Sequence, residues 1–184
     1  MAHLTPEEIL FLEQLRSEGI LENIDTKRVD ASQGAILITC ADGDQMADVF
    51  QQTENLSHRL HTLSLNGGGL LLPEESPANE LLTPPDCLPQ VRLGDVFLNQ
   101  IITARSLKHI DLIALHVHAP CGVAGVFKIS PRQLIELLTA GKDRLKKALP
   151  NTKVCAFVHI ACPDGRKRTY FVSREKWRTF LNKS

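Results

Sequence analysis

At 184 residues and 43% hydrophobic content, the chain is long enough to bury one ordinary core. Its 21 Lys+Arg against 21 Asp+Glu exclude the one-signed field that would make nucleic acid or an anionic membrane its main partner. Apolar runs fall well short of the roughly 20 residues of a membrane span. The first, Ile9-Leu10-Phe11-Leu12, breaks at Glu13-Gln14, so neither a signal peptide nor a spanning helix is expected and the expected compartment is cytoplasmic.

In chain order, Thr5-Pro6-Glu7-Glu8 is a helix start, with Thr5 as cap and Glu8 completing a capping box. The helix then sets Ile9, Leu12 and Leu15 on one side. Residues 35–40 (AILITC) form a short, β-branched apolar run, the pattern of a strand buried on both faces. Ala41-Asp42-Gly43-Asp44 ends it, and a helix is predicted from Gln45 to Leu60. A second strand spans His61 to Leu65 and stops at Asn66 and three glycines. Five prolines between 73 and 90 mark a loop rather than a boundary, because the strand–helix alternation resumes after them. A helix over Leu93–Lys108, a strand over Asp111–His118 and a helix from Ser130-Pro131 to Leu149 follow. Lys153–Ala161 is a fourth strand. The Pro163-Asp164-Gly165 turn folds Thr169–Val172 back as a fifth, and Arg174–Leu181 closes the chain as a helix. The basic residues around Arg166-Lys167-Arg168 fit a solvated face.

This alternation predicts an α/β fold: one domain over 1–184, with a mostly parallel sheet, helices on both faces in three layers, and a C-terminal antiparallel strand. Residues 1–33 would be an N-terminal helical arm, and 73–90 the Pro-rich loop. Sites in such sheets form at the carboxyl ends of strands. Cys40, Asn66 and His118 each end a predicted strand.

The five cysteines, at 40, 87, 121, 155 and 162, are an odd number. In a reducing compartment they read as core residues or metal ligands before disulfides. Thiolate and imidazole are preferred zinc ligands. His118-Ala119-Pro120-Cys121 places an imidazole at a strand tip and a thiol three residues on, past a tight turn. Cys40 from a neighbouring strand end would be a third ligand, leaving a fourth position for water, with Asp42 near enough to compete for it or orient that water. From spacing alone, buried core cysteines are the stronger reading, and convergence at strand ends makes the two equal.

The order of motifs resembles the β-class carbonic anhydrases. That family carries Cys-x-Asp-x-Arg after its first strand, Arg-Asn-Ala-Gly after its second, and His-x-x-Cys-Gly after its third. Here stand Cys40-Ala41-Asp42-Gly43-Asp44, then Leu65-Asn66-Gly67-Gly68, then His118-Ala119-Pro120-Cys121-Gly122. The likeness runs over residues 34–172 and includes the closing Asp164-Gly165 hairpin. It implies a β-carbonic-anhydrase-like fold, Zn2+ on Cys40, His118 and Cys121, and reversible hydration of carbon dioxide to bicarbonate. Asp42 would be the catalytic hydrogen-bond acceptor at the open position, or the fourth ligand of a closed site. Asn66, Gly67 and Gly68 would line the substrate pocket through backbone groups. A homodimer or higher homo-oligomer is also implied. Two departures matter. Asp44 stands where the family's Arg would hold the Asp off the metal, and Leu65 stands in place of the second Arg. Arg92, Arg105 or Lys128 could substitute. Two alternatives accompany the lyase: a zinc hydrolase of carbonyl sulfide or carbon disulfide, and a non-catalytic zinc protein closed by Asp42.

The remaining candidates have plainer readings. His116 shares a strand face with His118 and is expected to be a buried, hydrogen-bonded core residue. His58 and His61 fit surface positions better than a proton shuttle. Cys87, Cys155 and Cys162 match no ligand spacing. Gly67-Gly68-Gly69 precedes Leu-Leu-Leu-Pro rather than a helix, so it is no phosphate loop, and a turn with close backbone approach is expected.

Overall fold

In the computed structural model, residues 3–24, 31–42, 49, 51, 59–82 and 92–183 are described. Helix α1 (Pro6–Ser17) starts at Thr5 with the expected reciprocal box, Thr5 Oγ1 accepting from Glu8 N–H and Glu8 from Thr5 N–H. It is followed by β1 (Leu21–Asn23), β2 (Ala35–Cys40) and β3 (Leu60–Leu65). After 3-10 turns at Gly68–Leu71 and Pro77–Leu82 come α2 (Leu93–Lys108), β4 (Leu112–Ala119), the short α3 (Gly122–Val126), α4 (Pro131–Ala148), β5 (Lys153–Ala161), β6 (Lys167–Val172) and α5 (Arg174–Leu181). Among the described residues no helix is long and apolar enough to cross a membrane.

The strands form one sheet in the order β1-β6-β5-β4-β2-β3. β3, β2, β4 and β5 are parallel, and β6 runs antiparallel between β5 and β1. The strand period of two divides the core cleanly. Ile36, Ile38, Ile113, Leu115, Val154 and Ala156 face one cluster, which α1, α2, α4 and α5 cover with Leu15, Ile101, Leu138 and Trp177. Ala35, Leu37, Ala114, Cys155 and Phe157 face the other, which includes Val49. Towards the carboxyl edge that second face turns polar, with Thr39, His116, His118, His159 and Thr169 all buried.

Several elements differ from expectation. β1 was not predicted: its three residues are too few to show a period, and pairing with β6 makes them a strand. The glycine run opens a 3-10 turn whose Leu70, Leu71 and Leu72 are fully buried. The Pro-rich segment includes the 3-10 turn at Pro77–Leu82, and residues 83–90 lie outside the described ones. Of the helix predicted from Gln45 to Leu60, only Val49, Gln51, Arg59 and Leu60 are described; the first two are helical, Arg59 is not, and Leu60 opens β3.

Candidate metal centre

Parallel pairing of β2 with β4 brings Cys40, the last residue of β2, to the same sheet edge as the end of β4. There the chain passes through a cis Ala119–Pro120 peptide to Cys121, the residue that precedes α3. The ligand atoms of Cys40, His118 and Cys121 all lie within 4.8 Å of one another. Their residues are 6%, 4% and 4% exposed. The three donors predicted from separate stretches of sequence therefore converge in a buried cluster.

Two of the three donors are oriented by a neighbour. Gly67 N–H donates to Cys40 Sγ at 3.3 Å. It reaches that sulfur because Gly67 and Gly68 adopt φ of +90° and +50°, and because the turn lies against the β2 backbone. A Cβ on Gly68 would sit 2.3 Å from Cys40 N, so only glycine fits there. The buried Leu70–Leu72 segment packs the turn against β2, β4 and α4. His118 Nδ1 lies 2.8 Å from Pro120 O. A carbonyl only accepts, so Nδ1 carries the proton and Nε2 presents its lone pair. A second partner on one imidazole nitrogen is the usual way a ligating histidine is fixed. Nε2 is buried with no hydrogen-bond partner among the described residues. It lies 3.9 Å from Asp42 Oδ2, whose side chain is 32% exposed and so stands at the mouth of the cluster.

The electrostatics of the two sulfurs are complementary. A hydrogen bond from Cys121 foremost, with help from His118 and Gly67 N–H and against the cost of burial, holds the Cys40 thiol well below its usual range. The same hydrogen bond, together with burial, pushes the Cys121 thiol up. The two shifts favour one thiolate beside one thiol, since two adjacent buried thiolates would repel. A divalent cation would replace the thiol proton and let both ionise. With two sulfurs and an imidazole lone pair, the set could bind a metal ion, and this donor chemistry suits zinc.

The other candidates are placed as follows. Asn66 is exposed, whereas Gly67 and Gly68 are buried against Cys40. Asp44, His58 and Cys87 lie outside the described residues. Arg105 pairs with Asp111 at 2.6 Å and Arg92 donates to Glu74 O at 3.2 Å, so both are engaged elsewhere; Lys128 is exposed. His61 is half-buried, Cys155 is buried and Cys162 is partly exposed, the last two as free thiols. His116 is buried as expected, but neither ring nitrogen has a hydrogen-bond partner among the described residues. It stacks instead on Phe157, centroids 4.8 Å apart, and burial lowers its pKa to about 3. Two contributions escaped the sequence reading. The Gly67 N–H donor carries no side-chain signal. His159, opposite His118 in register and with Nδ1 2.8 Å from Thr169 Oγ1, is visible only once β4 and β5 are aligned.

No family model matches the sequence, and no curated protein matches it. Among solved structures, the fold is similar to a carbonic anhydrase from Streptococcus mutans, with 12% identity and a TM-score of 0.45 over 92% of this chain and 99% of that one. It is similar to β-carbonic anhydrase isoform I of Trichomonas vaginalis, with 12% identity and a TM-score of 0.46 over the same shares. The β-carbonic anhydrase CcaA gives 13% identity and a TM-score of 0.39 over 91% and 83%. At such identities residue roles do not transfer by alignment, and the chemistry rests on this chain's own side chains.

Proposed function

We propose that the chain holds one Zn2+ on Cys40, His118 and Cys121 and catalyses the reversible hydration of carbon dioxide to bicarbonate. The observation that carries this reading is the convergence of two sulfurs and an imidazole lone pair, from two strand ends and the following loop, within 4.8 Å. Zinc, when bound, supplies Lewis acidity that brings the pKa of a water from 15.7 down to about 7. The protein's part is orientation and charge. Pro120 O fixes the His118 tautomer. The Gly67 N–H draws charge from the Cys40 sulfur, which matters more here because two thiolates offset the cation's charge. Asp42 Oδ2, 3.9 Å from His118 Nε2, would accept a proton or a hydrogen bond at the reacting position. The burial of all three donors supports a small substrate, a class that includes carbonyl sulfide and carbon disulfide.

The same 3.9 Å favours a second reading, in which Asp42 becomes the fourth ligand and silences the site. Metal analysis after reconstitution tests the shared premise. About one zinc per chain is expected, lost in Cys40→Ser, Cys121→Ser and His118→Ala; an equal content in all four proteins refutes it. Stopped-flow carbon dioxide hydration between about pH 7 and 9 then separates the two readings. A rate above buffer supports the lyase, and none supports the closed site.

A further inference from the structure

One strand away from the β4 terminus, a cavity of about 430 Å³ opens between α1 and the β5–β6 hairpin. Its size falls in the range of small-molecule sites. Leu4, Leu12, Ile160 and Tyr170 are buried residues that form its apolar floor. Its lip carries four cations, Arg16, Arg166, Lys167 and Arg168, against two acids, Glu13 and Asp164. Arg166 engages Asp164 at 2.6 Å, which leaves the lip with a cationic excess in a chain of zero net charge. The Arg16 guanidinium lies over the Tyr170 ring, 5.1 Å from its centroid. Stacked this way, it keeps in-plane N–H donors for a planar anion. None of Cys40, Asp42, His118 or Cys121 lines this space.

We propose that the cavity is a binding site for a small carboxylate with an apolar body. The acyl chain or ring would lie on Leu12, Ile160 and Tyr170, and the carboxylate would meet Arg16 and Arg168. An apolar floor with a few polar groups at one end is the general design of such sites, and the guanidinium fork matches a carboxylate better than it matches a neutral hydroxyl. A basic patch for a polyanion would lack the apolar floor. A purely apolar groove would lack the arginines. Cys162, a partly exposed free thiol on the wall, provides a local reporter.

The test titrates octanoate, with octanol as the uncharged comparator, into the full-length protein by calorimetry. Alkylation of Cys162 by iodoacetamide is followed in parallel by peptide mass spectrometry. Saturable one-to-one octanoate binding is expected, with octanol and the Arg16→Glu/Arg168→Glu variant each weaker by about tenfold or more. The same charge reversals at Lys108 and Lys147 should leave the affinity unchanged. Octanoate should also slow Cys162 alkylation. Equal affinity for octanol, an unchanged affinity in the arginine variant, an unprotected Cys162, or no saturable binding each overturns the assignment. Both arginines are exposed, so the variant should fold, and an unaltered melting curve checks this.

Discussion

His116 should set part of the protein's acid sensitivity. It is 2% exposed, stacked on Phe157 and within reach of the charge of His159, and burial lowers its pKa from 6.5 to about 3. Desolvation, the larger cause, and the second imidazole both disfavour the charged ring. The unfolded chain therefore binds a proton on this residue below pH 6.5 that the folded chain refuses until about pH 3. Stability rises with pH wherever the unfolded state binds more protons. The contribution is intact above the unfolded pKa and falls away as pH drops through that window, by about 1.4 kcal/mol per unit at its steepest. Between pH 6.5 and about 5.0 the loss integrates to about 1.6 kcal/mol. His116→Leu removes the titrating group but keeps an apolar body beside Phe157. Urea unfolding of both proteins, stripped with chelator so that metal release does not enter, should show wild type losing about 1.6 kcal/mol more than the variant over that interval. Parallel curves would show that folded His116 titrates like a solvated imidazole, and the burial argument would fail.

Two further outcomes concern the metal centre. Gly68→Ala places a Cβ 2.3 Å from Cys40 N at a φ of +50°, so it should cost about 3 kcal/mol or more in urea unfolding and weaken zinc retention; a cost under about 0.5 kcal/mol would contradict the close approach. Asp44→Arg should raise carbon dioxide hydration by about tenfold, equivalent to about 1.4 kcal/mol, if a cation at that position draws Asp42 off the metal; an unchanged stopped-flow rate counts against Asp42 closing the site.

Much of this architecture is legible before folding because its signals are local. Thr5 and Ser130 each begin a helix with a box that needs only four residues to recognise. The all-buried AILITC run announces β2 because a parallel strand covered on both faces needs no alternation. What escapes is whatever requires a partner. Leu21–Asn23 is a strand only because β6 lies beside it. His159 becomes a neighbour of His118 only through the β4–β5 register. The general rule for buried polar groups points to a hydrogen bond on His116, whereas the structure stacks the ring on Phe157.

The logic of the site follows from the sheet. Parallel strands send their carboxyl ends to one edge, so residues 40 and 118, far apart in sequence, arrive together without either being near a turn that joins them. Burial then makes that meeting costly unless a cation resolves it. Cys40 is driven towards thiolate and Cys121 towards thiol by one shared hydrogen bond, and His118 Nε2, with no hydrogen-bond partner among the described residues, faces the same space. A purely structural cluster of two cysteines and a histidine has no need of a Gly67–Gly68 turn, held in left-handed conformations, to aim an N–H at one sulfur. Nor does it need a backbone carbonyl to hold the imidazole's other nitrogen. Both devices reduce charge or fix direction at the point where a metal ion would sit. They are the reason to read these residues as a built centre rather than as core packing.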